Sequence, residues 1–214
     1  MKINIGDENV IFLFDIDGTL TKPRQKISPE TKHVILSLKE KPNVTIGFVG
    51  GSDLSKQKYQ LGEDLLEVFD YGFSENGLVA YHHGELIHSQ HILNYLNEDK
   101  IQFLINRILF ELSKLKLPFK RGSFIEFRTG MLNICPCGAD ITSKQREEYV
   151  EYEKKHQIRK RLIANIKKDL DDLQLVVSTG GQISMDIYPL GWDKTYCLQH
   201  LDDRNFDKIF FLGL

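Results

Sequence analysis

The chain has 214 residues, which is enough for one large or two small domains with a substantial buried core. Its hydrophobic content of 41% and charged content of 27% are ordinary for a globular protein. The formal net charge of −2 provides no strong basic field. We therefore expect no nucleic acid and no membrane surface among its partners, whereas a small charged ligand is compatible with the composition.

The sequence carries no signal for secretion or membrane insertion. No apolar stretch reaches the length of a transmembrane helix, and residues 1–7 lack the apolar region of a signal peptide. The three cysteines, Cys135, Cys137 and Cys197, are too few for a disulfide scaffold, and we expect them to be reduced. These features predict a cytoplasmic protein.

The first element in chain order is an apolar run, residues 10–14, which predicts a strand buried on both faces of a parallel sheet. It ends in Asp15 and Asp17, and residues two apart on an extended chain point to the same side. Gly18 then permits a tight turn. The two carboxylates are therefore expected at the carboxyl end of a strand, where open α/β sheets place their ligands.

Such a pair of carboxylates has a narrow chemistry. Two close negative charges need a cation or a shared proton, and Mg²⁺ is the common cation in phosphate chemistry. Asp15 could attack a phosphorus atom while Asp17 manages the proton on the leaving oxygen. A solvated turn built from ordinary Asp and Gly turn residues is the alternative that these residues alone leave open.

The next segment predicts a helix followed by a second strand. Ser28-Pro29-Glu30 is a helix start, and residues 44–49 read as a second buried strand. The glycines and hydroxyl of Gly50-Gly51-Ser52-Asp53 could present hydrogen-bond donors to a phosphate. The alternative is a plain loop in which Ser52 or Asp53 caps the helix that carries residues 54–66.

The middle of the chain mixes two long helices with two hairpins. Helices are predicted from Asn97 to Pro118 and over residues 143–172, and alternating hairpins over 124–134 and 175–188. The polar faces of these hairpins carry five side chains: Glu126, Arg128, Asn133, Ser184 and Asp186. We therefore predict an α+β cap domain, residues 85–188, inserted between the core segments 1–84 and 189–214.

The chain then returns to the core. Lys194 opens a predicted helix, where it could be ordinary surface charge or could neutralise a phosphoaspartate. Residues 208–212 predict a last buried strand.

Several blocks together carry a family resemblance. The string Asp15-Ile16-Asp17-Gly18-Thr19-Leu20-Thr21 resembles the first motif of the haloacid dehalogenase superfamily of phosphotransferases. Six blocks in order resemble eukaryotic-type phosphomannomutases: DIDGTLT with PRQ at 15–25, VGGSD at 49–53, ENGLVAY at 75–81, KRGSFIEFRTGMLN at 120–133, GGQISMD at 180–186 and GWDK at 191–194. The resemblance implies an α/β haloacid-dehalogenase-type, Rossmann-like core with a parallel sheet, and an inserted α+β cap with an antiparallel sheet.

The resemblance also implies an activity and roles for residues. The family interconverts mannose 6-phosphate and mannose 1-phosphate for GDP-mannose synthesis, with Mg²⁺ and a hexose 1,6-bisphosphate activator, and forms homodimers through its cap. Asp15 would be the nucleophile and a ligand of Mg²⁺, and Asp17 would be the general acid and base, with its backbone carbonyl on Mg²⁺. The remaining implied residues hold the transferring phosphoryl group or the sugar and its distal phosphate: Gly51, Ser52 and Lys194 for the former, and Arg24, Arg128, Arg146, Ser184 and Asp186 for the latter.

Two departures from the family pattern bear on activity. Ala139 stands where the pattern has a phosphate-binding arginine, a loss worth about 1.5–3 kcal/mol of binding. The family continues past the last strand with acidic residues that complete the Mg²⁺ site, and Leu214 stands about where the first aspartate is expected. The expectation is a fragment or an incomplete metal site. A sugar-phosphate phosphatase on the same core and a catalytically impaired sugar-phosphate-binding relative are therefore alternatives.

Overall fold

A computed structural model describes residues 6–179, 181–201 and 205–213. Expectations that concern residues 1–5, Gly180 or Leu214 lie outside these described residues. The chain divides into two compact units. The first unit comprises the described residues up to Gln90 and from Gly191 onward, and the second unit is His91–Leu190. The assignment of residues 85–188 as a cap stays a prediction.

The described residues form ten strands and seven α-helices. The strands are β1 Val10–Asp15, β2 Val44–Val49, β3 Tyr71–Ser74, β4 Val79–His82, β5 Glu85–Ser89, β6 Ile125–Phe127, β7 Leu132–Ile134, β8 Leu175–Ser178, β9 Met185–Pro189 and β10 Lys208–Leu212. The helices are α1 Pro29–Lys39, α2 Leu54–Leu61, α3 Leu65–Val68, α4 Ile92–Tyr95, α5 Glu98–Lys114, α6 Ser143–His156 and α7 Ile158–Asp172. Two 3₁₀ helices, Glu75–Gly77 and Lys194–His200, complete the elements of the described residues.

The first unit is built on a six-stranded sheet with the order β10-β1-β2-β3-β4-β5. Strands β10, β1, β2 and β3 are parallel, and β4 and β5 extend the sheet as antiparallel strands. The expected α/β core is therefore confirmed, with a mixed rather than purely parallel sheet. Strand β5, which falls inside the predicted cap, pairs with β4 in this sheet.

Strand β1 is the centre of the first unit, and all six of its residues are buried. Its alternating side chains enter two different clusters, because neighbouring residues of a strand point to opposite faces. Phe12 and Phe14 pack with Ile35 of α1 and Leu61 of α2, whereas Leu13 packs with Cys197 on the other side. The predicted burial on both faces is confirmed.

The second unit contains a four-stranded antiparallel sheet with the order β6-β7-β9-β8. Helices α5 and α7 bury apolar stripes whose members are Ile101, Leu104, Ile108 and Leu112 on α5 and Ile158, Leu162, Ile166 and Leu170 on α7. The two helices are joined by Arg107, which donates hydrogen bonds to Asp169 at 2.9 Å and to the Asn165 backbone oxygen at 3.0 Å.

Three predicted elements are wrong in their extent or environment. The helix predicted over 143–172 is two helices, because Gln157 adopts a left-handed φ of 49° between α6 and α7. The helix predicted over 54–66 is also broken, at Gly62 with φ 114°, which glycine adopts without steric cost. Strand β10 is mostly exposed rather than buried, because it is the edge strand of the described sheet.

Two smaller expectations concern the Lys194 segment and the cysteines. The segment that begins at Lys194 forms a 3₁₀ helix instead of an α-helix. All three cysteines are free, as expected, and all three are buried. None of the helices in the described ranges is long and apolar enough to cross a membrane.

Candidate active site

Asp15 is the last residue of β1, and its carboxylate is almost fully enclosed, with 7% of the residue exposed. One carboxylate oxygen, Oδ1, accepts the Ile16 backbone N–H at 2.8 Å. The other, Oδ2, accepts from Lys194 Nζ at 2.5 Å. Lys194 follows Asp15 by 179 residues and is the first residue of its 3₁₀ helix, so tertiary structure alone brings this cation to the end of β1.

Asp17 lies just outside the strand and is exposed. Ile16, the residue between the two aspartates, is 3% exposed and belongs to the core, as the alternation of the strand predicts. Asp17 Oδ1 accepts from Gln60 Nε2 at 2.7 Å and from the Arg24 backbone N–H at 3.1 Å. Gly18 has φ 86°, so the turn that follows the aspartates uses the freedom of glycine.

The loop after β2 begins beside Asp15, because Asp15 is paired in register with Val49. The Gly50 N–H donates to the Phe73 backbone oxygen at 3.0 Å and is therefore not offered to a ligand. Asp53 caps α2 by accepting the Lys56 N–H at 3.0 Å. The capping alternative is thus correct for Asp53, and it leaves Gly51 and the Ser52 hydroxyl as the phosphate-binding candidates of this loop.

The carboxyl of Asp53 is held in its charged form. Burial alone would raise its pKa, but hydrogen bonds from the Ser55 hydroxyl and from Lys56, together with the charge of Lys56, outweigh that effect and lower the pKa of Asp53 to about 2. A charged cap at the first turn also interacts favourably with the positive end of α2. The Ser52 loop is therefore anchored at its carboxyl end at neutral pH.

The 3₁₀ helix Glu75–Gly77 joins the Ser52 loop to the Lys194 segment. The Glu75 N–H donates to the Ser52 backbone oxygen at 3.0 Å, and the Asn76 N–H donates to the Gly50 oxygen at 2.9 Å. The Asn76 side chain donates to the Trp192 backbone oxygen at 3.5 Å. Asn76 adopts φ 63°, a left-handed conformation that asparagine tolerates better than most residues.

Two glutamines of α2, Gln57 and Gln60, belong to the site and were missed by the sequence analysis. Both are buried, at 0% and 6% exposure. Gln57 accepts from the Ser74 hydroxyl at 2.6 Å and donates to the Gly50 oxygen at 3.4 Å, while Gln60 contacts Asp17. The available signal was two amides three residues apart on the face of α2 that also carries buried Leu61.

The end of β10 also reaches this edge of the sheet. The ring of Phe211 lies 5.9 Å from Lys194 Nζ, a distance at which a cation interacts with an aromatic face. A Cβ added to Gly213 would stand 3.0 Å from Asp15 Cβ. The carboxyl ends of β1 and β10 therefore meet beside the Asp15 carboxylate.

The candidate residues of the second unit form a polar row across its sheet. Glu126, Asn133, Asp186 and Ser178 are aligned on successive strands β6, β7, β9 and β8. Asn133 Nδ2 donates to Asp186 Oδ1 at 2.6 Å, and Arg128 donates to Glu126 Oε2 at 2.6 Å. Glu126 and Asn133 share one face of their hairpin, as predicted, and the register places Asp186 of the other hairpin beside Asn133.

Arg128 is only partly satisfied by its neighbours. Its Nε atom is buried and has no hydrogen-bond partner among the residues that the structure describes. A guanidinium offers five donors, so the ion pair with Glu126 leaves capacity for a bidentate anion contact.

The other candidates of the second unit lie on different elements. Arg146 is in the first turn of α6, close enough to the turn after β7 to act on its thiols: the hydrogen bond from Cys137 and the charge of Arg146 lower the pKa of Cys135 against the effect of burial. The Ser184 backbone oxygen accepts from Arg159 at 2.9 Å. Ala139 is exposed. The structure thus brings Asp15, Asp17 and Lys194 together in one unit and joins Arg128 and Asp186 to the polar row of the other.

The site can be tested against the Mg²⁺ that the resemblance implies. No group of three or more His, Cys, Asp or Glu side chains placed to hold a metal is found among the described residues. Mg²⁺, however, is commonly held through one or two carboxylates together with waters and substrate phosphate oxygens. Asp15 and Asp17, separated by one residue at the end of β1, fit a site of that kind.

Comparison with known proteins decides the family. The model of the family described as "PMM: Eukaryotic phosphomannomutase" matches residues 32–214. The chain belongs to the eukaryotic phosphomannomutase family. Within this family it is 47% identical over 207 residues to phosphomannomutase 2 of Dictyostelium discoideum, covering 97% of this chain and 82% of that relative. It is 49% identical over 203 residues to the phosphomannomutase of Saccharomyces cerevisiae, covering 95% and 79%.

Solved structures extend the likeness at the level of fold. The C-terminal domain of a trehalose-6-phosphate phosphatase from C. albicans superimposes with a TM-score of 0.62 at 18% identity, covering 96% of this chain and 70% of that one. A haloacid dehalogenase-like hydrolase from Bacteroides thetaiotaomicron gives 0.57 at 13% identity, covering 95% and 80%. The phosphomannomutase family member described here therefore has the haloacid-dehalogenase-like fold that its first motif predicts.

Proposed function

We propose that this chain interconverts mannose 6-phosphate and mannose 1-phosphate through a phosphorylated Asp15. The observation that carries the proposal is the pairing of Asp15 Oδ2 with Lys194 Nζ at the end of β1. A lysine at this position can offset the negative charge of a phosphoaspartate. Without a nearby cation that intermediate would be less stable. The relatives that share most of this chain are named phosphomannomutases, which supports the same reaction here.

The cycle begins with phosphoryl transfer from phospho-Asp15 to a sugar. The free hydroxyl of mannose 1-phosphate loses its proton to Asp17 while its oxygen attacks the phosphorus, and the bond between phosphorus and Asp15 breaks. The products are the hexose 1,6-bisphosphate and a free Asp15 carboxylate. Hexose 1,6-bisphosphate is also the compound that would phosphorylate Asp15 at the start, which explains the need for an activator.

The second half of the cycle reverses the first on the other phosphate. After the bisphosphate reorients, Asp15 attacks the phosphorus of the phosphate on C1, the bond from that phosphorus to the sugar oxygen breaks, and Asp17 returns the proton to the leaving oxygen. Mannose 6-phosphate is released and Asp15 is again phosphorylated. Lys194 and the Ser52 hydroxyl, with the Gly51 backbone, hold the transferring phosphoryl group in both halves.

Mg²⁺ belongs to this proposal as the cofactor. Asp15 and Asp17 would hold it, and when bound it would offset the negative charge of the phosphoryl oxygens during transfer. The Lys194 ammonium, which contacts Asp15 directly, would offset the same negative charge. Both Asp15 oxygens already accept hydrogen bonds, from the Ile16 N–H and from Lys194. The carboxylate would therefore bind the metal while it keeps these two donors.

The sugar and its distal phosphate are proposed ligands of the remaining candidates. Arg24 follows the catalytic turn, and its backbone N–H contacts Asp17. In the second unit, Arg128 has an unpartnered buried Nε among the described residues and is paired with Glu126 of the polar row, which also contains Asp186. Arg146 and Ser184 are assigned with them from the family pattern. Arginine is suited to this task because its planar fork grips phosphate bidentately.

The biological setting is proposed on the same grounds. A phosphomannomutase supplies mannose 1-phosphate for GDP-mannose, and free buried thiols are compatible with the reducing cytoplasm.

We also propose a homodimer formed through the second unit. Its α5 leaves Phe103, Leu109 and Phe110 exposed at 50%, 45% and 56%, and contiguous exposed apolar side chains are typical of interaction surfaces.

One assay tests the proposed function against its alternatives. The protein is incubated with mannose 1-phosphate, Mg²⁺ and a trace of hexose 1,6-bisphosphate while phosphorus is followed by NMR. Appearance of mannose 6-phosphate supports the mutase. Free phosphate would instead indicate a phosphatase, and saturable binding without turnover would indicate an impaired relative in which Ala139 is one of the defects.

A further inference from the structure

We propose that Gln60 is a positioning residue for Asp17, holding the carboxylate that exchanges the proton. The inference rests on the proposed function, in which Asp17 acts as acid and base. Gln60 Nε2 lies 2.7 Å from Asp17 Oδ1, across 43 residues of sequence. The amide touches neither substrate nor transferred atoms in the proposed cycle, so it acts through Asp17.

The burial of Gln60 distinguishes it from an ordinary surface glutamine. Only 6% of the residue is exposed, although Asp17 itself is exposed. A buried amide has to be satisfied by protein partners, and Gln60 meets this demand with Asp17 Oδ1 and with the buried Thr21 hydroxyl at 3.1 Å. Buried contacts therefore fix the position of the Gln60 amide, and from this position the amide holds the exposed Asp17 carboxylate.

Backbone hydrogen bonds also fix the position of Gln60. The Gln60 carbonyl accepts the Ile27 N–H at 2.8 Å, which ties the end of α2 to the segment that enters α1. The beginning of α2 is capped by Asp53, directly after Ser52. One helix of eight residues therefore supports the Ser52 loop at its start and Asp17 at its end.

The hydrogen bonds assign different tasks to the two oxygens of Asp17. Oδ1 accepts from both Gln60 Nε2 and the Arg24 backbone N–H. We infer that the proton is carried by Oδ2, since Oδ1 already faces two donors. Loss of a supporting contact of this kind typically lowers activity by about tenfold to a hundredfold.

The test compares Gln60→Leu with Gln57→Leu. Both positions lie on α2, both are buried, and both glutamines hydrogen-bond to site residues, but Gln57 contacts the Gly50 oxygen and Ser74 instead of an aspartate. We expect Gln60→Leu to lower kcat by about tenfold to a hundredfold with KM within about threefold, and to lower kcat more than Gln57→Leu does.

Two kinetic results would overturn the inference. One is a Gln60→Leu enzyme with the wild-type kcat. The other is an equal loss of kcat in both variants, which is the signature of a general structural role.

A measurement without turnover separates this inference from the proposed function. In ¹⁵N–¹H spectra, the Gln60 side-chain amide is identified by its loss in Gln60→Leu, and we expect its signal to shift in Asp17→Asn while that of Gln57 does not. An unmoved Gln60 signal would refute the contact even if the enzyme is active. A shifted signal in a protein that does not act on mannose 1-phosphate would uphold the contact and reject the proposed reaction.

Discussion

In the first unit, Asp15 and Asp17 accept hydrogen bonds from four donors that belong to four different segments, whereas in the second unit the candidate residues bond mainly to one another. The donors on the aspartates are the Ile16 and Arg24 backbones, the Gln60 amide and the Lys194 ammonium. In the polar row, Arg128 pairs with Glu126 and Asn133 with Asp186.

This difference suits two different tasks. Groups that form and break bonds gain from being held in place before the substrate arrives, because little reorganisation remains at the moment of reaction. Groups that grip a phosphate need donors left over for the ligand, and Arg128 has a buried Nε with no hydrogen-bond partner among the described residues. We therefore expect substitutions in the first unit to act on kcat and substitutions in the polar row to act on KM.

The largest effect is expected from Asp15→Asn. The amide keeps the shape of the side chain but is a poor nucleophile, so we expect turnover to fall by about 10⁴-fold or more with substrate binding retained. Phosphorus NMR with mannose 1-phosphate measures the turnover, and calorimetry measures the binding. Persistent activity in this variant would sink the assignment of Asp15.

Lys194→Met should have the next largest effect. The variant keeps a flexible side chain of similar length but removes the cation from Asp15 Oδ2, so we expect kcat to fall by about a hundredfold to a thousandfold. Lys194→Arg is the control, since it retains the charge and should recover part of the rate. If methionine and arginine are equally tolerated, Lys194 is surface charge.

Arg128→Ala should act on KM instead. Loss of a charge-assisted contact costs about 1.5–3 kcal/mol, so we expect KM for the sugar phosphate to rise about tenfold to a hundredfold with little change in kcat. Glu126→Gln is the matched control, because it removes the ion pair while leaving the guanidinium in place. An equal rise of KM in both variants would mean that the pair is structural.

The smallest expected effect is on stability and arises away from both sets of residues. Glu111 is 5% exposed and accepts from Arg107, Lys114 and Asn165. The hydrogen bond from Arg107, with help from Lys114 and Asn165, lowers the pKa of Glu111 to about 2 against the effect of burial. The folded-state pKa lies below the ordinary value near 4.5, so this stabilisation is complete above about pH 4.5 and is lost as the pH falls toward 2.

Glu111→Gln should therefore lower the free energy of unfolding by about 1–3 kcal/mol at pH 7 and flatten its fall between pH 4.5 and 2. Urea unfolding at several pH values measures both effects. Glu151→Gln is the control, because its ion pair with Lys154 is exposed and should contribute nothing measurable. A wild-type pH dependence in Glu111→Gln would contradict this account of the network.

Strand β1, the aspartates at its end and the polar faces of the hairpins could be predicted from sequence, because their signals are local. A five-residue apolar run followed by two aspartates and a glycine indicates both a buried strand and the chemistry at its end. The alternation of the two hairpins likewise predicted that Asn133 and Asp186 each lie on a polar face. For Lys194 the residues alone left surface charge and neutralisation of a phosphoaspartate both open, since nothing local shows that it meets Asp15.

The missed features depend on tertiary structure. Gln60 contacts an aspartate 43 residues away and lies on the apolar face of its helix, where a glutamine gives no signal of its own. The break between α6 and α7 rests on the left-handed Gln157, a conformation that the continuous run of charged residues does not indicate. The exposure of β10 follows from its place at the edge of the sheet, which hydropathy cannot report.

The most direct test of the central claim is to trap the phosphorylated enzyme. The protein is mixed with labelled hexose 1,6-bisphosphate and Mg²⁺, quenched in acid within seconds, digested, and mapped by mass spectrometry, with Asp15→Asn treated in parallel. We predict one phosphorylated peptide, with the phosphoryl group on Asp15, and no label in the variant. Label on another residue, or turnover without any label on Asp15, would contradict the mechanism.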